Sequence, residues 1–247
     1  MSRAAPDQKK PPAATFDREP RQPAMNILAF DCAVQGMGIA VLRDGVCLAS
    51  HHEGGRDQTV RLLPAIETVL VEAGLDRRDL SLIVVTLGPG SFTGVRVGLA
   101  AAHGLSAGLG VPLAGLRTTA VLLAQAAGDG RVPIAAVDSR LGDWFCEIGG
   151  DDAPFVAAAT DLVGRLRGRQ WRVIGSGTKA LTTFLAAAGI DAVAEEAVPD
   201  PVVLGGLAAK TGADVWRRQN AQQGLPRPLY LRGVNITLPD GARRTVG

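Results

Sequence analysis

The sequence predicts an α/β protein of two like halves, each a mixed sheet covered by helices. Short runs that are apolar along their length, Asn26-Ile27-Leu28-Ala29-Phe30 and Val132-Pro133-Ile134-Ala135-Ala136-Val137, read as strands buried on both faces. Each run ends in an aspartate, Asp31 or Asp138. After each aspartate the parts come in the same order, so that β-β-β-α-β-α occurs twice, with little residue identity between the copies.

In the first half, Met37–Arg43 and Val46–His52 flank Asp44-Gly45, a dipeptide suited to the positive φ values of a tight hairpin. Thr59, Leu62, Leu63, Ile66, Val69, Leu70 and Ala73 then recur at helical spacing, with Gly74 as the stop and Pro64 as a bend or a late start. Leu82–Leu87 is the next strand, and Gly88 and Gly90 turn it into a helix over Val95–Leu109. The second half offers Trp144–Ile148, the turn Gly149-Gly150-Asp151-Asp152, a run from Phe155 and a helix over Thr160–Leu166. Strand Trp171–Ile174, Gly175 and Gly177, and a helix over Lys179–Ala188 complete it. Arg117–Ala127 and Pro201–Arg218 are further helices, the latter expected to pack back on the first half. The expected units are a tail (1–24), two halves (25–116 and 117–232) and a C-terminal arm (233–247).

Composition narrows the classes. Of 247 residues, 47% are hydrophobic and only 4% aromatic, so the core must be built from Ala, Val, Leu and Ile with close backbone contacts. No apolar run approaches the ~18 residues of a membrane span. The formal charge is +2, but residues 1–24 hold five basic and three acidic groups, which leaves 21 of each sign in the body. A neutral body argues against a stand-alone nucleic-acid binder without excluding a local patch. The tail is rich in Pro, Ala, Gln and charge, so disorder is expected there, and it lacks the apolar segment of a secretory signal. Three scattered cysteines, Cys32, Cys47 and Cys146, with no CxxC spacing, read as small hydrophobes in a reducing compartment.

The stretch Gly88-Pro89-Gly90-Ser91-Phe92-Thr93-Gly94-Val95-Arg96-Val97-Gly98 sits where strand passes to helix, a place that can aim backbone N–H groups at an anion. Its details oppose that use. Val95, not Lys, follows Gly94, so no Walker loop is formed. The GxGxxG spacing fails at Thr93, and Pro89 has no N–H to give. Ser91 and Thr93 suit a helix N-cap instead. The helix carries glycine at 94, 98, 104 and 108, and each interior glycine costs roughly 1 kcal/mol relative to alanine. Something must therefore pack close, either the protein's own sheet or a partner's helix. The second reading assigns Thr93, Gly94, Arg96, Val97, Gly98, Ala101, Ala102 and Leu105 to a protein interface, with Arg96 at its rim facing a partner's carboxylate. His103 faces either core or partner.

Asp31 is followed by Cys32-Ala33-Val34-Gln35-Gly36, nearly free of donor side chains, while Asp138-Ser139-Arg140 with Asp143 is more polar. Each aspartate reads as a cap on local backbone N–H groups or as a vestigial nucleotide contact, and neither as catalytic. The histidines, His51, His52 and His103, form no metal-ligand spacing, so no metal site is expected.

Five stretches taken in order, Ile27-Leu28-Ala29-Phe30-Asp31, Leu62-Leu63-Pro64, the glycine stretch 88–98, Ala136-Val137-Asp138-Ser139-Arg140 and Pro228-Leu229-Tyr230-Leu231-Arg232, resemble the TsaB (YeaZ) family of the actin/Hsp70/sugar-kinase-like superfamily. The resemblance runs from Met25 to about Arg232. It implies a duplicated actin-like fold that has lost its chemistry and kept a docking surface. It further implies a non-catalytic scaffold beside a TsaD-like catalytic homologue and a TsaE-like ATPase. Together these would place a threonylcarbamoyl group on the adenosine next to the anticodon of tRNAs reading codons that start with A. ATP and metal would then sit on the partners, with no cofactor assigned to this chain. tRNA would be reached through the complex, in the cytoplasm and away from membranes, and the chain alone would pair with itself. Gln58-Thr59, where the family often has a histidine first, Cys32 in place of a small hydroxyl residue, and the extra tail are departures. The alternative is an ATP-dependent kinase or ATPase of the same superfamily using Asp31 and Asp138, with a metallopeptidase behind it.

Overall fold

The computed structural model describes residues 24–55, 57–151, 153–232, 234–237 and 243–246. Strand β1 (Asn26–Asp31) is buried along its length and pairs antiparallel with β2 (Met37–Arg43). β2 turns at Asp44-Gly45 into β3 (Val46–Glu53), both turn residues having positive φ. Helix α1 (Gln58–Glu72), β4 (Leu82–Thr86), α2 (Phe92–Leu109) and β5 (Leu113–Leu116) follow. The sheet order is β3-β2-β1-β4-β5, with β1, β4 and β5 parallel.

Helix α3 (Thr118–Gln125) leads into β6 (Val132–Asp138), β7 (Trp144–Ile148) and β8 (Phe155–Ala157). Then come α4 (Ala159–Arg165), β9 (Trp171–Ser176), α5 (Thr178–Ala187) and β10 (Ala192–Glu196). The second sheet, β10-β9-β6-β7-β8, repeats the plan of the first, with β6, β9 and β10 parallel. The duplicated mixed α/β fold class is thus the one the order of elements predicts. Helices α6 (Pro201–Thr211) and α7 (Ala213–Gln223) follow, and β11 (Val234–Thr237) pairs with β12 (Arg243–Val246) as a separate ribbon.

The two-residue period of β1 divides the first core. Leu28 and Phe30 face Leu62 and Ile66 of α1 and Val95 and Leu99 of α2. Ile27 and Ala29 face Leu204 and Ala208 of α6, which lies against β1 and β2. Helix α3 lies between the sheets, giving Val121 to the α6 side and Leu122 to the other. Leu162 of α4 and Leu181 and Leu185 of α5 cover the far face of the second sheet.

The structure departs from the sequence reading in three places. Pro64 sits inside α1, which runs unbroken from Gln58 to Glu72, because Val60 and Pro64 lie on the solvent side, where water can take the freed carbonyl. The pattern over 201–218 is two helices, broken at Gly212, whose φ of 83° and ψ of 146° suit only glycine. Strands β5 and β10 escape the pattern because one is four residues long and the other, Ala-Val-Ala-Glu-Glu, is a polar, half-exposed edge. The disorder expected over 1–24 falls outside the described residues apart from Ala24, and so does part of the expected arm over 233–247.

Candidate functional site

The parallel strands of both sheets end at a cleft of about 990 Å³. Two helix N-termini, those of α2 and α5, border it. Such ends carry free N–H groups and favour an anion. Both are occupied from within the chain. At α2, Ser91 caps the helix by accepting from Gly94 N, and Ser91 N donates to the Ala33 carbonyl at 2.8 Å. The loop after β1 presses so close that a Cβ at Gly94 would collide with the Cys32 carbonyl oxygen. At α5, the Glu196 carboxylate accepts from Gly177 N (3.2 Å), Lys179 N (2.9 Å) and the Thr178 hydroxyl (2.9 Å). Partial burial pushes the Glu196 pKa up, but these hydrogen bonds together outweigh it and hold the carboxyl below its ordinary range. The carboxylate thus sits where a bound anion would.

Asp31 is 1% exposed. Its Oδ1 accepts from Ala33 N (3.0 Å) and the Thr86 hydroxyl (2.5 Å). Burial raises its pKa to about 6 against the opposing pull of those bonds. Asp138 Oδ1 accepts from Arg140 N at 2.7 Å, and Asp138 N donates to Ser176 Oγ at 3.0 Å. Ser139 bonds Asp143, which also pairs with Arg232. Both aspartates therefore cap backbone N–H groups, and Asp31 is sealed from solvent. Among the described residues no three His, Cys, Asp or Glu side chains gather as a metal set.

The residues assigned to an interface divide into two faces of α2. Gly94, Gly98 and Ala102 are buried in the protein's own core, and a Cβ at Gly98 would lie 3.5 Å from Cys32 Cβ and Val85 Cγ2. At Gly94 the missing Cβ answers an internal need, a Cβ at Gly98 would make an ordinary contact, and all three positions face the protein's own core, which corrects the docking reading there. Thr93 and Arg96 are exposed, and Val97, Ala101 and Leu105 are half-buried. Arg96 is also engaged within the chain: its guanidinium stacks 3.7 Å over Phe92, and Nε donates to Tyr230 Oη at 2.9 Å. His103 Nε2 lies 2.9 Å from the Pro226 carbonyl, so it faces neither core nor partner but the C-terminal segment that crosses α2.

Sequence reasoning overlooked three features. Helix α1 shows a second apolar stripe, Val60, Leu63 and Val71, each more than half exposed, beside α2. Leu63 stood in the helical pattern, and reading which apolar positions fall out of phase with the buried ones would have found the stripe. Arg117 forms a two-pronged pair with buried Glu147 (2.8 and 3.1 Å), which also accepts from Thr119. That network and Glu196 carry no local sequence signal.

Comparison with known proteins points one way. Residues 51–140 match the family model described as "TsaD: tRNA N6-adenosine threonylcarbamoyltransferase". The Escherichia coli (strain K12) "tRNA threonylcarbamoyladenosine biosynthesis protein TsaB" is 37% identical over 125 residues, 49% of this chain and 53% of that protein. Its namesake from Bacillus subtilis (strain 168) is 37% identical over 102 residues, 41% of this chain and 44% of that one. The chain thus spans about half the length of these curated relatives. The solved structure of YeaZ from Pseudomonas aeruginosa superposes with a TM-score of 0.68 at 28% identity, covering 84% of this chain and all of that one. The curated relatives, the YeaZ structure and the family model together support the TsaB (YeaZ) family. The stretch matched to TsaD contains α1, which carries the exposed apolar stripe, and α2.

Proposed function

We propose that this chain is a non-catalytic subunit in tRNA threonylcarbamoyladenosine biosynthesis. It docks through the α1–α2 face on a TsaD-like catalytic homologue, and a TsaE-like ATPase completes the set. The observation that carries this reading is that both helix ends bordering the cleft are capped from within the chain. At the two helix N-termini that would hold an anionic ligand, Ala33, Ser91 and Glu196 already accept from Ser91 N, Gly94 N, Gly177 N and Lys179 N. The family relationship and the uncovered apolar stripe Val60, Leu63 and Val71 support docking. The TsaD-like match over 51–140 supports the choice of partner, because two chains sharing these helices can meet through like surfaces. The interface then comprises Thr93, Arg96, Val97, Ala101 and Leu105 with the α1 stripe. A second copy of the chain takes the same face when no partner is present. ATP and metal belong to the partners, tRNA is held by the complex, and the setting is cytoplasmic. Among the described residues no helix is long and apolar enough to cross a membrane.

The kinase or ATPase reading is not favoured, since Asp31 is buried and bonded to Thr86 and Ala33. The test is reconstitution with the TsaD-like and TsaE-like proteins of the same organism. Modification of a tRNA transcript should require this chain, and Asp138→Asn should keep the rate within about twofold, whereas loss of a general acid or base costs on the order of a hundredfold or more. ATP turnover by the chain alone, lost in Asp138→Asn, would overturn the reading.

A further inference from the structure

Strands β6, β9 and β10 all begin at the end of the second sheet opposite the cleft. There the chain runs Arg165-Leu166-Arg167-Gly168-Arg169-Gln170-Trp171-Arg172. The nearby carboxylates are already engaged. Arg172 pairs with Asp129 (2.6 Å) and Glu195 (2.8 Å), and Arg131 pairs with Asp191 (2.6 Å) and Asp129 (3.8 Å). Arg165, Arg167 and Arg169 are exposed and make no ion pair among the described residues. Arg165 closes α4 and stacks 4.2 Å over Phe155, a position that answers the negative end of that helix. Arg167 and Arg169 lie beyond the helix and have no such duty. They wall an open hollow of about 510 Å³ between this turn and the turn Ala188-Gly189-Ile190-Asp191, in which the Asp191 carboxylate is taken up by Arg131 and Gln170. Gly168 and Gly189 leave its floor clear, since a Cβ at either would meet nothing within 4 Å.

We propose that this hollow binds the phosphate backbone of tRNA through Arg167 and Arg169, with Arg165 at its edge. A guanidinium matches phosphate oxygens two at a time, and a floor of bare backbone admits a bulky chain of phosphodiesters. The body of the protein carries equal numbers of acidic and basic residues, so an unneutralised trio is a local feature. It also lies on the half that does not carry the α1–α2 face, and stays open when that face is covered. The proposal rests on the functional reading above, and names this chain's own contact with the RNA.

The experiment compares wild type with Arg167→Glu/Arg169→Glu, using a labelled tRNA transcript with adenosine beside the anticodon. Binding is measured across a salt series for the chain alone and for its complex with the TsaD-like protein. The expected result is a loss of affinity of at least about tenfold, with the slope of log K against log salt shallower by about one to two units. Arg77→Glu/Arg78→Glu, on the first half, should change neither. Unchanged affinity and slope in both settings would overturn the proposal while leaving the functional reading intact. A variant that binds tRNA normally but loses a protein partner would also overturn it, by marking the hollow as a protein contact. If wild type joins no complex, the functional reading fails, and the chain-alone titration still decides the patch.

Discussion

Burial holds the Asp31 carboxyl at a pKa of about 6, above its ordinary value of 3.8. In the unfolded chain the proton leaves near 3.8, so between that pH and about 6 the folded protein retains a proton the unfolded chain has lost. Stability contributed by this group therefore falls as pH rises through that window and stays reduced above it. Asp31→Asn, which keeps an acceptor for Ala33 and Thr86, should raise stability at pH 7 by about 1 to 3 kcal/mol. The gain should vanish by pH 4, as read from urea unfolding at both pH values. On α2 the glycines behave oppositely according to face. Gly94→Ala meets the Cys32 carbonyl and should destabilise by about 1 to 3 kcal/mol, whereas Gly104→Ala points into open space and should stabilise by up to about 1 kcal/mol. Thermal melts of the two variants separate the cases. Glycine spacing announced that something lies close to this helix; it took the packing of the loop at Cys32 to show that the neighbour at 94 and 98 is the protein itself.

Helices α1 and α2 were legible as helices because their buried positions, Leu62, Ile66, Val69 and Leu70 in the first and Val95, Leu99 and Ala102 in the second, keep helical spacing. The division of their remaining residues between core and surface was not, because it depends on how β1 and its loop lie beneath them. The same holds for 201–218, where an apolar pattern ran through Gly212 and only the backbone angles there reveal two helices. The α5 N-terminus offered no signal at all, since its cap comes from Glu196, 18 residues beyond Thr178. Glu196→Ala should expose those donors and cost about 1 kcal/mol of stability, checked by chemical denaturation at neutral pH. It should also increase the affinity of the cleft for inorganic phosphate, read by titration. An unchanged phosphate affinity would mean that the carboxylate is only a cap.

The duplicated plan was readable from two apolar runs each ending in aspartate, because strands buried on both faces have few alternatives. How the halves are joined was not, because the joint uses contacts distant in sequence. Asn220 on α7 bonds both the N–H (2.8 Å) and the carbonyl (3.0 Å) of Leu113, and α6 packs on β1 and β2, whereas Arg117 and Thr119 meet Glu147 within the second half. Glu147→Ala removes the acceptor shared by Arg117 and Thr119 in a buried place and should cost about 3 kcal/mol. The contacts between the halves fix them about a cleft to which we assign no chemistry, and in the proposed role the first half presents α1 and α2 to a partner. Size-exclusion chromatography with the TsaD-like protein, comparing wild type with Leu63→Lys, tests this most directly. Leu63 is 53% exposed, so the variant should melt within a degree or two of wild type, because surface substitutions rarely exceed about 0.5 kcal/mol. Wild type should co-elute with the partner and the variant should elute alone; a variant that still co-elutes as wild type does would contradict docking through the α1–α2 face.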